Sequence, residues 1–316
     1  MSIESIDTVR LNFSPQTLTA LNIILGLIMF GVALDLRIAD FKRALSRPRA
    51  FFIGAFSQFL LLPAAAFGLT YVLDVSPSVA LGMIMVAACP GGNMSNFMTS
   101  MAKGSTALSV CMTAVSTTAS IFLMPINVTF WASMRPDTAA IMTDMNVDPW
   151  SMLFSVFVML GVPLVVGVTI SERKPELAAK LRKPFKVGSL VFFALLVVAA
   201  FSSNLKAFVD YISVIFGPVA LLNAVALSIG YVMARLGRLT RPESRAVSIE
   251  VGIQNSGLGL VLIFAHFDGL GGMAAVAGWW GIWHVVSGLG LAYIWSRYFP
   301  LSKDEMQYVG DVAVES

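Results

Sequence analysis

From Leu18 to Trp295 the chain is a succession of apolar runs, most of them about twenty residues long, separated by short polar connections. The hydrocarbon core of a bilayer is about 30 Å thick and takes roughly 20 helical residues to cross. On that ruler the runs predict an all-α integral membrane protein of about nine transmembrane helices. The expected spans are Leu18 to Leu36, Ala50 to Leu73, Val79 to Met101, Ala107 to Trp131, Trp150 to Ile170, Val187 to Leu205, Ile212 to Leu236, Ala246 to Phe267 and Met273 to Trp295. Composition agrees: 57% apolar and 12% charged residues in a chain of 316 leave too little polar surface to coat a soluble globule. The lipid bilayer is therefore the first partner expected. The net charge of +3 is small and its basic residues lie between the runs, which excludes a nucleic-acid footprint. Cys89 and Cys111, the two cysteines, sit inside apolar runs and make neither a disulfide framework nor a clustered metal site.

Basic residues report orientation instead. Of 21 lysines and arginines, 18 fall in connections on one side, and only Arg10, Arg135 and Lys206 fall on the other. A span missed or invented in the middle would swap every later loop and destroy that asymmetry. The amino terminus is thus predicted outside and the carboxyl terminus, with a polar tail at 296–316, in the cytoplasm. The first 14 residues carry Glu4, Asp7 and Arg10 rather than the basic start of a cleavable signal, so the first run is expected to stay as a span.

Two spans cannot be regular helices. The third contains Pro90, Gly91 and Gly92 near its middle, and the 11 residues from Val79 to Cys89 reach only roughly 16 Å. Proline removes a donor and clashes with the preceding turn, and paired glycines weaken the helix further, so two half-helices joined by unwound backbone are expected. Asn93, Ser95 and Asn96 follow directly. The eighth span has Glu250, Gln254, Asn255 and Ser256 at its centre, bracketed by Gly252 and Gly257. Lying five spans apart, the two breaks cross in opposite directions, the pattern of an inverted-topology repeat with a binding site near the midplane. The plainer alternative is a pair of kinked packing helices.

Glu250 is the one acidic residue of 18 well inside a predicted span, where a charge costs about 2.5–3.5 kcal/mol on insertion scales. With no lysine or arginine at that depth, a bound cation or a proton on the carboxyl is expected to offset the cost. Gln58 in the second span, and Ser109 with Thr113 one helical turn apart on the fourth, add neutral oxygens. Such a donor set suits a hard cation such as Na⁺, whereas a transition metal would call for clustered histidine or cysteine. Taken alone, Ser109 and Thr113 also read as ordinary small-residue packing. His284 in the last span reads equally as a donor to an anionic ligand and as a histidine bonded to a neighbouring helix; His266 reads as incidental.

At these motifs the chain resembles the bile acid:sodium symporter family, through CPGGNMSN (89–96), ALSVCMTAVST (107–117) and EVGIQNSG (250–257). The resemblance extends over nearly the whole length. It implies two discontinuous crossing helices, a core domain (approximately 50–131 and 212–295) and a panel domain (approximately 15–36 and 150–205) that moves against it for alternating access. It implies sodium-coupled uptake of an organic anion with two Na⁺. One ion would sit among Ser95, Asn96, Ser109, Thr113 and Glu250, the other among Gln58, Glu250, Gln254 and the carbonyls of Val251 and Ile253. The substrate would lie near Asn93, Asn255 and His284.

Two departures bear on that expectation. Many bacterial members carry an extra first helix that is missing before Leu18, so the chain resembles a nine-span bacterial member, expected in the inner (plasma) membrane. Asn93 and Met94 also replace the usual Thr-Ala, which leaves a small carboxylate as plausible a substrate as a bile acid. Alternatives from the residues are a proton-coupled carrier titrating Glu250, a passive channel, and an intramembrane hydrolase using Ser256 and His284. The last lacks the G-x-S-G type of turn such a serine would need. A non-enzymatic transporter is the expectation.

Overall fold

The computed structural model describes residues 6–10, 15–46, 48–92, 94–185, 187–188, 191 and 205–307. Asn93, most of the expected sixth span and the end of the tail lie outside them. Among the described residues the regular structure is entirely helical. The elements are α1 (Pro15–Ala33), α2 (Ile38–Ser46), α3 (Pro48–Val72), α4 (Pro77–Ala88), α5 (Met94–Met101), α6 (Thr106–Ser133), α7 (Pro136–Asp144), α8 (Pro149–Arg173), α9 (Leu205–Leu236), α10 (Arg241–Gly252), α11 (Ser256–His266) and α12 (Gly271–Tyr298).

Among the described residues, five stretches are long and apolar enough to cross a membrane: α3, α6, α8, Tyr211–Leu236 of α9, and α12. Helix starts follow local chemistry. Pro77 and Pro149 occupy first turns, where a missing N–H costs nothing. Asp148 accepts from the backbone N–H of Ser151 at 2.8 Å, and Asp7 accepts from that of Ser78 at 2.8 Å, so the segment before α1 caps α4. Thr240 and Glu243 form a reciprocal capping box at the start of α10. Two features went unforeseen in sequence. α2 and α7 are short helices in what read as connections, and α3 and α8 each contain a π turn, at Ser57–Leu61 and Phe157–Gly161. Each turn shortly precedes a proline, Pro63 or Pro163. Because the proline can neither donate nor tolerate the carbonyl four residues back, a widened turn absorbs the conflict.

α4 and α5 are the two pieces of the third expected span; α10 and α11 are those of the eighth, with α10 starting at Arg241, earlier than Ala246. The four short helices are enclosed by α3, α6, α9 and α12, and α4 packs most extensively on α12. Every residue from Ser78 to Ala88 is buried. α1 packs mainly on α8, brought close at Gly167, where a Cβ would sit 3.0 Å from the Ala33 carbonyl carbon.

Candidate functional site

The two breaks meet. Cys89 leaves α4 with φ −64° and ψ 156°, and Ile253 leaves α10 with φ −109° and ψ 97°, so both segments run extended. They pair antiparallel at Gly91 and Gln254. The Gly92 N–H donates to the Ile253 carbonyl at 2.6 Å, and the Asn255 N–H donates to the Pro90 carbonyl at 2.9 Å. Unwound backbone deep in a bundle is tolerable only when its polar groups are matched, and here each break supplies the other. Side chains complete the accounting. Gln58, inside the π turn of α3, donates to the Cys89 carbonyl at 2.9 Å. Gln254 Nε2 donates to the Val251 carbonyl at 2.6 Å, and Asn223 Nδ2 donates to the Gly252 carbonyl at 2.8 Å.

Beside this crossing lies a nest of oxygens. Ser95 Oγ donates to Glu250 Oε2 at 2.6 Å, and Ser109 Oγ is 3.4 Å from the same atom. Thr113 Oγ1 lies 2.9 and 3.0 Å from the two Glu250 oxygens, 3.0 Å from the Ser109 carbonyl, 3.3 Å from Asn96 Oδ1 and 3.4 Å from Ser95 Oγ. A threonine hydroxyl has a single proton to donate. Most of these contacts are therefore oxygen facing oxygen, an arrangement that a cation at the centre stabilises. Ser95, Ser109, Thr113 and Glu250 are buried, and Glu250 is fully so. Gly91 permits the approach: a Cβ there would overlap Glu250 Oε1, although its own φ is not left-handed. The first break thus presses on the carboxylate carried by the second. Thr99, which the sequence reading passed over, extends the nest, donating to Ser109 Oγ at 3.3 Å.

The second expected ion set is arranged differently. Gln58 Nε2 donates to Gln254 Oε1 at 2.8 Å, and Gln254 Nε2 donates back to Gln58 Oε1 at 3.2 Å. The two amides and the Val251 carbonyl are together, but they satisfy one another, and the Ile253 carbonyl is occupied by Gly92. Glu250 bonds to the first group through Ser95, Ser109 and Thr113. A cation between the glutamines requires both amides to turn their oxygens inward.

Of the residues expected near substrate, Asn255 caps α11 by accepting from the Leu258 N–H at 3.1 Å, and its Nδ2 lies 3.5 Å from Met29 Sδ on α1. His284 is buried on α12, with Nδ1 lacking a hydrogen-bond partner among the described residues. No hydrogen bond joins it to Asn255 or to Ser256 among those residues. His266 is more than incidental, since its Nε2 is 3.0 Å from Ser155 Oγ and links α11 to α8. Cys89 and Cys111 are buried and are not joined in a disulfide. Asn223 and Ser287, joined by a 2.5 Å hydrogen bond, went unread although a lone amide in an apolar run is the signal that singled out Gln58.

Comparison with known proteins gives a consistent assignment. The profile of the Sodium Bile acid symporter family matches residues 22–211. The chain is 34% identical over 277 residues to "Uncharacterized sodium-dependent transporter YocS" of Bacillus subtilis, covering 88% of this chain and 83% of that protein. It is 31% identical over 279 residues to "Probable sodium/metabolite cotransporter BASS1, chloroplastic" of Arabidopsis thaliana, covering 87% and 66%. It is 28% identical over 254 residues to the human ileal sodium/bile acid cotransporter, covering 79% and 70%.

Proposed function

The chain belongs to the Sodium Bile acid symporter family, a family of transporters rather than enzymes, and from that premise we propose that it is a sodium-coupled symporter of an organic anion working by alternating access. The observation that carries this reading is the oxygen nest at Glu250, which holds a carboxylate and more acceptor atoms than protons. One Na⁺ is held by Ser95, Asn96, Ser109, Thr113 and Glu250. A second is held by Gln58, Glu250, Gln254 and the Val251 and Ile253 carbonyls once the glutamine pair opens. The anion lies beside the crossing, near Asn255 and His284, with Asn93 in the same stretch of chain. Asn255 touches Met29 of α1, so this position borders the α1–α8 pair, which belongs to the panel (approximately 15–36 and 150–205) that moves against a core at approximately 50–131 and 212–295. The nine-span topology with both breaks at mid-membrane follows from the charge asymmetry and the inverted pair.

Coupling follows from electrostatics. With Na⁺ bound, the buried carboxylate is neutralised and the half-helix amino termini are free to favour an anion. Without it, an anion next to Glu250 meets like charge. Uptake in right-side-out vesicles tests this. Transport of a small carboxylate or a bile acid should need sodium and stop in choline, and Glu250→Gln or Gln254→Ala should abolish it. Uptake that persists in choline and follows a proton gradient would replace sodium with a proton at Glu250.

A further inference from the structure

Asn223 stands in the middle of α9 in the apolar stretch Val219–Ala226 and is 1% exposed. Its Nδ2 donates to the Gly252 carbonyl of α10 at 2.8 Å, and its Oδ1 accepts from Ser287 Oγ of α12 at 2.5 Å. The Gly252 carbonyl, which can only accept, fixes which end of the amide is which: the NH₂ group must face it, and Oδ1 is left to accept from Ser287, whose hydroxyl also lies 3.2 Å from the His284 carbonyl. Three helices are tied together at the depth of the break.

The carbonyl so held is the middle one of three. At the end of α10 the Val251, Gly252 and Ile253 carbonyls have lost their helical partners, and each has a separate replacement: Gln254, Asn223 and Gly92 respectively. Gln254 and Gly92 belong to the crossing itself; Asn223 comes from α9, outside the two broken pairs. Gly252 is also where the chain is freest to rotate, because it lacks a Cβ. Turning the peptide units on either side of it would redirect the Val251 and Ile253 carbonyls and swing Glu250, two residues upstream. The support behind Asn223 is stiff. A Cβ on Gly252 would overlap the Leu227 side chain, and one on Gly230 would come 3.1 Å from the Ser248 nitrogen. Ser248 Oγ donates to the Leu227 carbonyl at 2.6 Å.

We infer that Asn223, held by Ser287, is a positioning residue of the cation site: it pins the Gly252 carbonyl away from the ion, and so aims the neighbouring carbonyls and Glu250 at it. The inference rests on the reading of the Glu250 nest as a sodium site. Sodium alone is a sufficient probe. The full-length protein, purified in detergent, is titrated with NaCl against choline chloride at constant ionic strength, and its unfolding midpoint is followed. Wild type should be stabilised saturably by sodium; indifference to sodium would overturn the cation site and this inference with it. In Asn223→Leu the half-saturating sodium concentration should rise about 5- to 10-fold, and in Ser287→Ala about 2- to 3-fold. The double variant should be no worse than Asn223→Leu, because Ser287 acts through Asn223. If the sodium-free midpoint falls while half-saturation stays within about 2-fold of wild type, Asn223 is only a packing residue. Should Asn223→Leu fail to fold, an unchanged sodium response in Ser287→Ala overturns the inference on its own.

Discussion

Gly91→Ala is the smallest change that should separate the two breaks. The added methyl would overlap Glu250 Oε1 and lie 2.8 Å from Cδ and 3.3 Å from Cγ. Non-bonded carbons rest at about 3.5–4.0 Å, so the carboxylate must retreat by roughly 0.7 Å or more. The bonds most exposed to that retreat are those from Ser95 at 2.6 Å and Thr113 at 2.9 Å. Hydrogen bonds to a charged group contribute about 1.5–3 kcal/mol each. Losing most of one and part of the other weakens sodium binding by about 3 kcal/mol, roughly two orders of magnitude in affinity. The neighbouring glycine supplies the control. A Cβ at Gly92 meets the Gln254 carbonyl oxygen at 3.2 Å and the Ile253 carbonyl oxygen at 3.4 Å, contacts that small shifts relieve. Gly92→Ala should therefore change sodium affinity by less than about 10-fold. The assay is the sodium dependence of uptake or of thermal stability for both variants. Equal sodium affinity in Gly91→Ala and wild type would refute the claim that this glycine exists to admit Glu250.

Further outcomes follow from other contacts. Arg135 is buried, donates to the Thr70 and Val75 carbonyls at 3.1 and 2.9 Å, and pairs with Asp137 at 2.8 Å. Arg135→Gln should cost about 2–4 kcal/mol and lower the unfolding midpoint by several degrees with sodium half-saturation unaltered; a shift in half-saturation would tie this end of the molecule to the ion site. Thr113→Val keeps the shape but removes the oxygen shared by both carboxylate atoms, and should weaken sodium binding about 10-fold or more, measured by the same titration. For topology, the native cysteines are buried, so single cysteines at the exposed positions Thr143 and Asp304 report cleanly. An impermeant maleimide applied to intact cells should label Thr143→Cys, and Asp304→Cys only after permeabilisation. The reverse pattern would invert the orientation.

The site was legible wherever polarity stood out against an apolar background. Gln58, Ser95, Asn96, Ser109, Thr113, Glu250 and Gln254 were each conspicuous for that reason, and hydrogen bonds gather them into two groups, Gln58 with Gln254 and the others around Glu250 and Thr113. Their partition was less legible, because spacing along a helix says nothing of which amide turns toward which. Thus Gln58 and Gln254 face each other, and Glu250 sides with the hydroxyls. Asn223 and Ser287 carried the same signal but lacked a motif to draw attention. The prolines at 63 and 163 were visible, yet whether a proline kinks a helix, breaks it or widens one turn depends on what packs around the freed carbonyl. α2 and α7 were missed because their sequences are too polar to register as spans.

The enclosure of α4 also bears on how the protein is made. At 12 residues, it is too short to be recognised as a span by the insertion machinery, and it presents no side to lipid. Its principal neighbour, α12, follows it in the chain only after α5 to α11. The first broken pair must therefore wait, unsheathed, through the synthesis of most of the chain. Loss of α12 should leave the amino-terminal half exposed to membrane quality control even though its own sequence is intact.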